Sequence, residues 1–303
     1  MKTYLHLARL LTAVALAIAV QGANAHELTE EQKAQFSRGY QHFESGKYSD
    51  AASAWLPLAR QGNAHVQMAL TAAYEKLGGT QNRRKALDLY RAAAEQGHPE
   101  GQLHLAAAYA SGDLIARDMT MAVQWWERAA EQGNVRAQYS LGYAFSQDPA
   151  MTKDYARAAY WYTRAAEAGD AAAQNDLAYM YEEGWGVKAD LVKAVHWYTQ
   201  AANAGNAEAQ LNLGYLFSIG KGVRKDRGQA VHWYAAAANQ GNPQAQFNLA
   251  MHYLAKQGTA KPDREQGLRW LRLSAAQGFG QAEQALCVED AKWAKKTLSL
   301  ACP

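Results

Sequence analysis

Apolar positions in this chain recur at two nested periods. Within each short segment, small and apolar side chains return three and four residues apart, the spacing of a single helix face. The segment itself then repeats, marked by Gly62, Gly97, Gly133, Gly169, Gly205, Gly241 and Gly278 at intervals of 35, 36, 36, 36, 36 and 37 residues. Counted from the glycine, plus five is Gln67, Gln102, Gln138, Gln174, Gln210 and Gln246. Plus eight is Leu70, Leu105, Leu141, Leu177, Leu213, Leu249 and Leu286, and plus twelve is Tyr74, Tyr109, Phe145, Tyr181, Phe217 and Tyr253. With Ala or Gly usually at plus four and plus nine, these positions form one stripe and predict a first helix in every repeat. Asn63, Asn134, Asp170, Asn206 and Asn242 follow the glycines as N-cap types, and the glycine suits the left-handed end of the preceding helix.

A second helix is predicted in each repeat. Its small anchor is Ala86, Ala122, Ala158, Ala194, Ala230 or Gly267, followed three residues later by Leu89, Trp125, Trp161, Trp197, Trp233 or Trp270. Beside these stand Tyr90, Trp126, Tyr162, Tyr198 and Tyr234, and alanine pairs such as Ala165-Ala166 end the helix. Asp118, Asp154, Asp190, Asp226 and Asp263 sit four residues ahead of the anchor as N-caps. Large rings facing small alanines let helices approach closely. A fixed period of this length signals stacked helix pairs in place of one globular core.

These residues resemble the Sel1-like repeat, a relative of the tetratricopeptide repeat. The fifth full repeat carries the likeness best, as Ala209-Gln210, Leu213-Gly214, Gly220-Lys221-Gly222-Val223, Asp226, Ala230 and Trp233-Tyr234. Gly39 to Gly62, with Tyr48, Ala51, Trp55 and Ala59, resembles a divergent first repeat, so the likeness covers roughly residues 30–287. Departures are local: Gln147-Asp148-Pro149 replaces the G-x-G-V turn, and Gly78-Gly79 has its own spacing. The resemblance implies an all-α, right-handed superhelical solenoid of antiparallel helix pairs.

Composition changes this picture little. Apolar residues make up 49% of 303, enough for a core, although much of that share is alanine. The first 25 residues read as a secretory signal peptide: Lys2 and Arg9, an apolar run from Leu10 to Val20, and Ala23-Asn24-Ala25 before His26. Removing them takes two basic residues and no acidic ones, leaving 29 basic against 28 acidic and a net charge of +1. Neither nucleic acid nor an anionic membrane is implied as a partner. The domain reading is residues 1–25 as leader, 26–287 as repeats and 288–303 as a capping helix and tail. Cys287 and Cys302, the two cysteines, read as a disulfide in a periplasmic or secreted protein.

No catalytic triad, phosphate-cradling loop or H-E-x-x-H is present, and no cofactor or metal is implied. His196 and His232 both stand in Ala-Val-His-Trp-Tyr. As equivalent positions of successive repeats, they are too far apart to share an ion. Glu182-Glu183 forms no evident acid–base pair. The basic turn Lys221 to Arg227 reads as a soluble connection.

The surplus of large side chains lies opposite the leucine stripe, at plus six and plus ten. Plus six is Met68, Leu103, Tyr139, Asn175, Leu211 and Phe247; plus ten is Ala72, Ala107, Tyr143, Tyr179, Tyr215 and Met251. The resemblance implies that both positions face a concave ligand surface, with Tyr143, Tyr179 and Tyr215 as a ladder. Tyr139, Tyr143, Tyr179, Trp185, Tyr215, Phe247 and Met251 are therefore the candidate partner-binding residues. Packing between neighbouring first helices is the competing explanation. The expected function is a scaffold or adaptor, not an enzyme, holding a protein, peptide or envelope component. The alternatives are a structural part of an oligomer, or an envelope enzyme acting on cell-wall material or β-lactams. The enzyme reading is suggested by resemblance to cysteine-rich Sel1-like proteins. Those carry a cysteine pair in most repeats, and this chain has none before Cys287.

Overall fold

The regular elements between the first and last repeats follow from the periodicity described above. The computed structural model describes residues 28–255, 263–298, 300 and 302, and all its regular elements among these residues are α-helices. The expected leader lies outside the described residues. The chain forms two compact units, the first ending at Leu141 and the second beginning at Gly142. In the first, α1 (Glu30–Glu44) pairs with α2 (Tyr48–Ala59), α3 (Ala64–Leu77) with α4 (Gly79–Glu95), and α5 (Pro99–Ser111) with α6 (Met119–Glu131). The boundary falls within α7 (Val135–Ser146). In the second, α8 (Tyr155–Glu167) packs on α9 (Ala171–Glu183), which pairs with α10 (Leu191–Asn203). The pairs α11 (Ala207–Ile219) with α12 (Arg227–Asn239) and α13 (Pro243–Leu254) with α14 (Arg264–Ala275) follow. Two short helices, α15 (Gly280–Glu289) and α16 (Ala291–Leu298), end the chain.

The caps act where the sequence places them. The side chains of Asn63, Asp170, Asn206 and Asn242 each accept from the amide three residues on, at 2.8–3.1 Å. Asp118, Asp154, Asp190, Asp226 and Asp263 do the same for the second helices, at 3.0–3.1 Å. Each such bond contributes about 1 kcal/mol. The turn between paired helices is closed by one recurring bond. The amide of the capping aspartate donates to the carbonyl of the plus-twelve aromatic, as in Asp190 to Tyr181 and Asp154 to Phe145, both 2.9 Å. The third full repeat keeps this closure without the G-x-G-V turn. There Asp148 folds the chain back by accepting from the Ala150 amide at 2.8 Å.

Glutamine at plus five has a structural task that its residue type alone does not reveal. Each of the six is buried, and its side-chain amide donates to the carbonyl of the last alanine of the preceding helix, as Gln210 does to Ala202 at 3.0 Å. Its own oxygen needs a donor in turn. Where glutamine precedes the next glycine, it supplies one: Gln96 to Gln67, Gln132 to Gln102, Gln240 to Gln210 and Gln277 to Gln246, at 2.8–3.0 Å. Where that position is alanine, as at Ala204, the buried Oε1 of Gln174 has no protein donor.

The second aromatic of the pair carries the packing. Tyr162, Tyr198 and Tyr234 are buried, and two of these rings lie directly against glycine. A methyl at Gly142 would come within 2.5 Å of the Tyr162 ring, and one at Gly214 within 2.8 Å of Tyr234. Their hydroxyls meet the end of the first helix. Tyr198 donates to Glu182 at 3.0 Å and Tyr90 to Glu75 at 2.6 Å, and burial followed by the adjacent carboxylate raises both phenols. In the repeat with Trp126 the corresponding partner is Ala110, and the buried indole nitrogen has no protein acceptor.

The ends of the chain are built differently. In the divergent first pair, Trp55 is fully buried beside Gly39 and donates to the Phe36 carbonyl at 3.0 Å. At the other end a disulfide joins Cys287 to Cys302, with Cα atoms 5.1 Å apart. It sits against an apolar cluster containing Leu271, Leu286, Ala294, Trp293 and Leu300. Arg272 pairs with Asp290, holding that carboxyl below its ordinary range, and lies 5.0 Å over the Trp293 ring.

Candidate functional site

The first helices of the second unit present one face on which large side chains stay uncovered. On α7, α9, α11 and α13 the plus-eight leucines are buried. Two residues on, about 200° around the helix, Tyr143, Tyr179, Tyr215 and Met251 remain 44, 42, 49 and 42% exposed. The plus-six side chains behave otherwise. Leu103 and Leu211 are buried, while Tyr139, Asn175 and Phe247 are half-buried. The physical reason is the neighbouring repeat. Asn212 at plus seven donates to Asn175 at plus six of the preceding repeat, 3.3 Å away, and Phe247 packs on Phe279 with ring centres 5.6 Å apart. For Phe247 packing against the next repeat is therefore the observed state, and the uncovered face narrows to plus ten.

Trp185 joins this face through its turn. Gly184 ends α9 in the left-handed conformation, and the Trp185 amide donates to the Met180 carbonyl at 3.0 Å. Gly186, with φ of 69°, lies against the Tyr155 backbone so closely that a Cβ would overlap it. That approach sets the indole against two rings, Tyr155 at 5.0 Å with a 31° tilt and Tyr179 edge-on at 5.2 Å. Trp185 is still 40% exposed. Residue type flagged Trp185 and Tyr179 separately, whereas their contact with Tyr155 depends on the turn.

A cavity of about 500 Å³ opens beside these rings, lined by Tyr179, Trp185, Lys153, Asn175, Asp176, Glu208 and Asn212, among others. Part of its lining is a hydrogen-bonded row: Asn212 donates to Asn175, which donates to the Asp176 carboxylate at 3.1 Å. At the end of α9 the Lys221 ammonium pairs with the nearly buried Glu182 at 2.8 Å, a bond that raises the lysine above its ordinary value. Lys221 thus serves the connection between α9 and the turn after α11.

Histidines divide by environment. His196 and His232 are exposed and stand edge-on to the tryptophans that follow them. Among the described residues no group of three or more His, Cys, Asp or Glu could hold a metal ion. In the first unit, His98 caps α5, its Nδ1 accepting from the Gly101 amide at 3.4 Å, and meets His65 edge-on at 5.1 Å. Burial, then repulsion from His65, lowers it to about 4. His104, stacked on Tyr90 at 4.3 Å, is lowered to about 4 by burial and then by Arg136. Neither histidine stood out in the residue pattern, because their partial burial is set by neighbouring elements and not by residue type.

Six consecutive segments, residues 63–98, 99–134, 135–170, 171–206, 207–242 and 243–279, match the family model described as Sel1 repeat. Among solved structures, the chain is similar to c5321, a protective antigen of uropathogenic Escherichia coli strains displaying an SLR fold. The two share 31% identity over 95% of this chain and 61% of that one, with a TM-score of 0.79. It is also similar to a Sel1 repeat protein from Oxalobacter formigenes, with 32% identity over 79% of this chain and 96% of that one and a TM-score of 0.68. The chain thus spans about three fifths of the length of the E. coli antigen. No curated protein matches it.

Proposed function

The chain belongs to the Sel1 repeat family, and we propose that it is an exported scaffold holding a protein or peptide partner against the plus-ten face of its second unit. Repeat scaffolds of this family commonly serve protein–protein interaction. One observation carries the assignment of the face. Tyr143, Tyr179 and Tyr215 recur at 36-residue intervals and stay exposed, while the leucines two residues earlier are buried. Exposed tyrosines offer rigid apolar area with a polar tip, which suits them to anchoring polypeptides. Trp185 and Met251 extend the surface, Phe247 sits at its half-buried margin, and Tyr139 is a half-buried candidate of the first unit.

Export rests on the leader read at residues 1–25 and agrees with the disulfide near the C-terminus. Among the described residues no helix is long and apolar enough to cross a membrane. In this reading, residues 26–287 are the scaffold and 288–303 its stapled cap, and the partner is a periplasmic or extracellular polypeptide. Replacing Tyr143, Tyr179 and Tyr215 together by alanine is the test. Helical circular dichroism should be unchanged, while affinity capture from an envelope extract should lose the partners that wild type retains. Undiminished capture by a folded triple variant refutes the face.

A further inference from the structure

We propose that the cavity beside Trp185 is a subsite for a neutral oligosaccharide, holding it by its hexopyranose rings. The lining is short of aliphatic surface. Apart from Trp185 and Tyr179 it consists of amides, carboxylates, hydroxyls and an ammonium, and among the described residues Met180, itself buried, is the one aliphatic side chain there. An apolar peptide side chain placed in it would strip water from those polar groups without replacing their hydrogen bonds. Nor does the cavity select an ion. Asp176 is engaged within the chain, accepting from Asn175, and the exposed Glu208 and Lys153 carry opposite charges. The cationic position beside the rings is also filled, by the Lys153 ammonium 5.9 Å over Tyr155.

What remains is a charge-balanced wall of donors and acceptors next to fixed aromatic rings. A hexopyranose is built to meet both, with C–H groups on the faces of its ring and hydroxyls around the rim. Trp185 and Tyr179 are exposed yet already held, edge to face at 5.2 Å, with Tyr155 backing the indole at 5.0 Å. Little side-chain ordering is therefore left to oppose stacking. Each sugar hydroxyl both donates and accepts, and so does each asparagine amide. Asn212 and Asn175 have each given one hydrogen to a neighbour, which leaves further donor and acceptor capacity on both. The Glu208 carboxylate, which accepts from Asn242 at 2.9 Å, has lone pairs to spare for a hydroxyl donor. At about 500 Å³ the cavity has room for about two such rings and falls within the usual range for small ligands. The assignment stands apart from the tyrosine face, because Tyr143 and Tyr215 are not among the lining residues.

An array of neutral glycans, followed by calorimetry on the purified protein, tests the cavity. Wild type should retain a neutral oligosaccharide with the same affinity at low and high salt, because no charge is recruited. Trp185→Ala should weaken that ligand at least tenfold, and Trp185→Phe should restore most of the loss; circular dichroism checks that both fold. Asn212→Ala should weaken it by a similar factor. Tyr143→Ala combined with Tyr215→Ala should leave the saccharide bound as before while reducing partner capture, which separates this site from the docking face. Sedimentation with protein-free envelope polysaccharide, beside capture of glycoproteins before and after enzymatic deglycosylation, tells a free glycan from a protein-linked one; binding of either supports the cavity. If wild type retains no neutral glycan, or Trp185→Ala binds it as tightly as wild type, the saccharide subsite is overturned and the docking face stands or falls on its tyrosines alone. A retained glycan that high salt releases overturns it too.

Discussion

The two units use one helical pair and differ in what it displays. At plus ten the first unit carries Ala72 and Ala107, whereas the second carries Tyr143, Tyr179, Tyr215 and Met251. The buried positions hardly change between them: Leu70 and Leu105 correspond to Leu177, Leu213 and Leu249, all buried. The first unit instead carries two half-buried histidines, His98 and His104, both lowered to about 4. The same scaffold thus separates two properties. One register position sets what the surface offers, and a few half-buried side chains set how stability responds to pH. Neither property disturbs the packing repeat.

The strongest test of that separation is to damage each core alone. Leu105→Ala and Leu177→Ala each remove a fully buried side chain and should cost about 2–5 kcal/mol. Because repeats contact mainly their neighbours, hydrogen exchange should rise around α5 in one variant and around α9 in the other. Uniform loss of protection along the chain would show a single cooperative unit and collapse the comparison.

Reducing the disulfide should have an effect of similar or smaller size, confined to the C-terminal end. The bond closes a 15-residue separation, worth about 3 kcal/mol in the chain-entropy model. Cys287→Ser with Cys302→Ser should raise exchange in α15 and α16 and leave the first unit unchanged.

Acid should separate the units next. A histidine near 4 when folded and near its ordinary 6.5 when unfolded binds more protons in the unfolded chain between those values. Its stabilising effect is therefore complete above pH 6.5, declines as pH falls toward 4 and is constant below that. Exchange in α5 should rise over this window, and His98→Asn combined with His104→Gln should flatten the response. His252 in the second unit is also lowered, by burial and then Arg227 and Lys225, so a smaller response is expected near α13.

Two further substitutions sharpen the contrast between covered and displayed positions. Ala204→Gln should supply the donor that the Gln174 oxygen lacks, as Gln240 does for Gln210, and raise stability by about 0.5–1.5 kcal/mol. Single changes of Tyr143 or Tyr215 to alanine should shift thermal stability by at most about 0.5 kcal/mol, because these side chains are half in solvent. A larger loss at either tyrosine would mark it as a packing residue and remove it from the proposed face.

Much of this was legible in the chain itself. The glycine interval, the leucine stripe, the asparagine and aspartate caps and the alanine–aromatic alternation act through contacts within a helix or within one pair. Their spacing alone therefore determines them. The exposure of plus ten follows from the same periodicity. Contacts between successive repeats decided the rest. Plus six and plus ten lie on one side of the first helix, but the next repeat covers plus six, as Asn212 does Asn175. The buried glutamines serve interhelix bonds that no stripe can specify, and the burial of His98 and His104 depends on the elements packed around them. Trp185 meets Tyr155 because Gly186 lets its turn approach the start of α8, a distance set by packing and absent from any spacing within one repeat. Local period fixes what a residue can face; only the stagger of neighbouring helices decides what it does face.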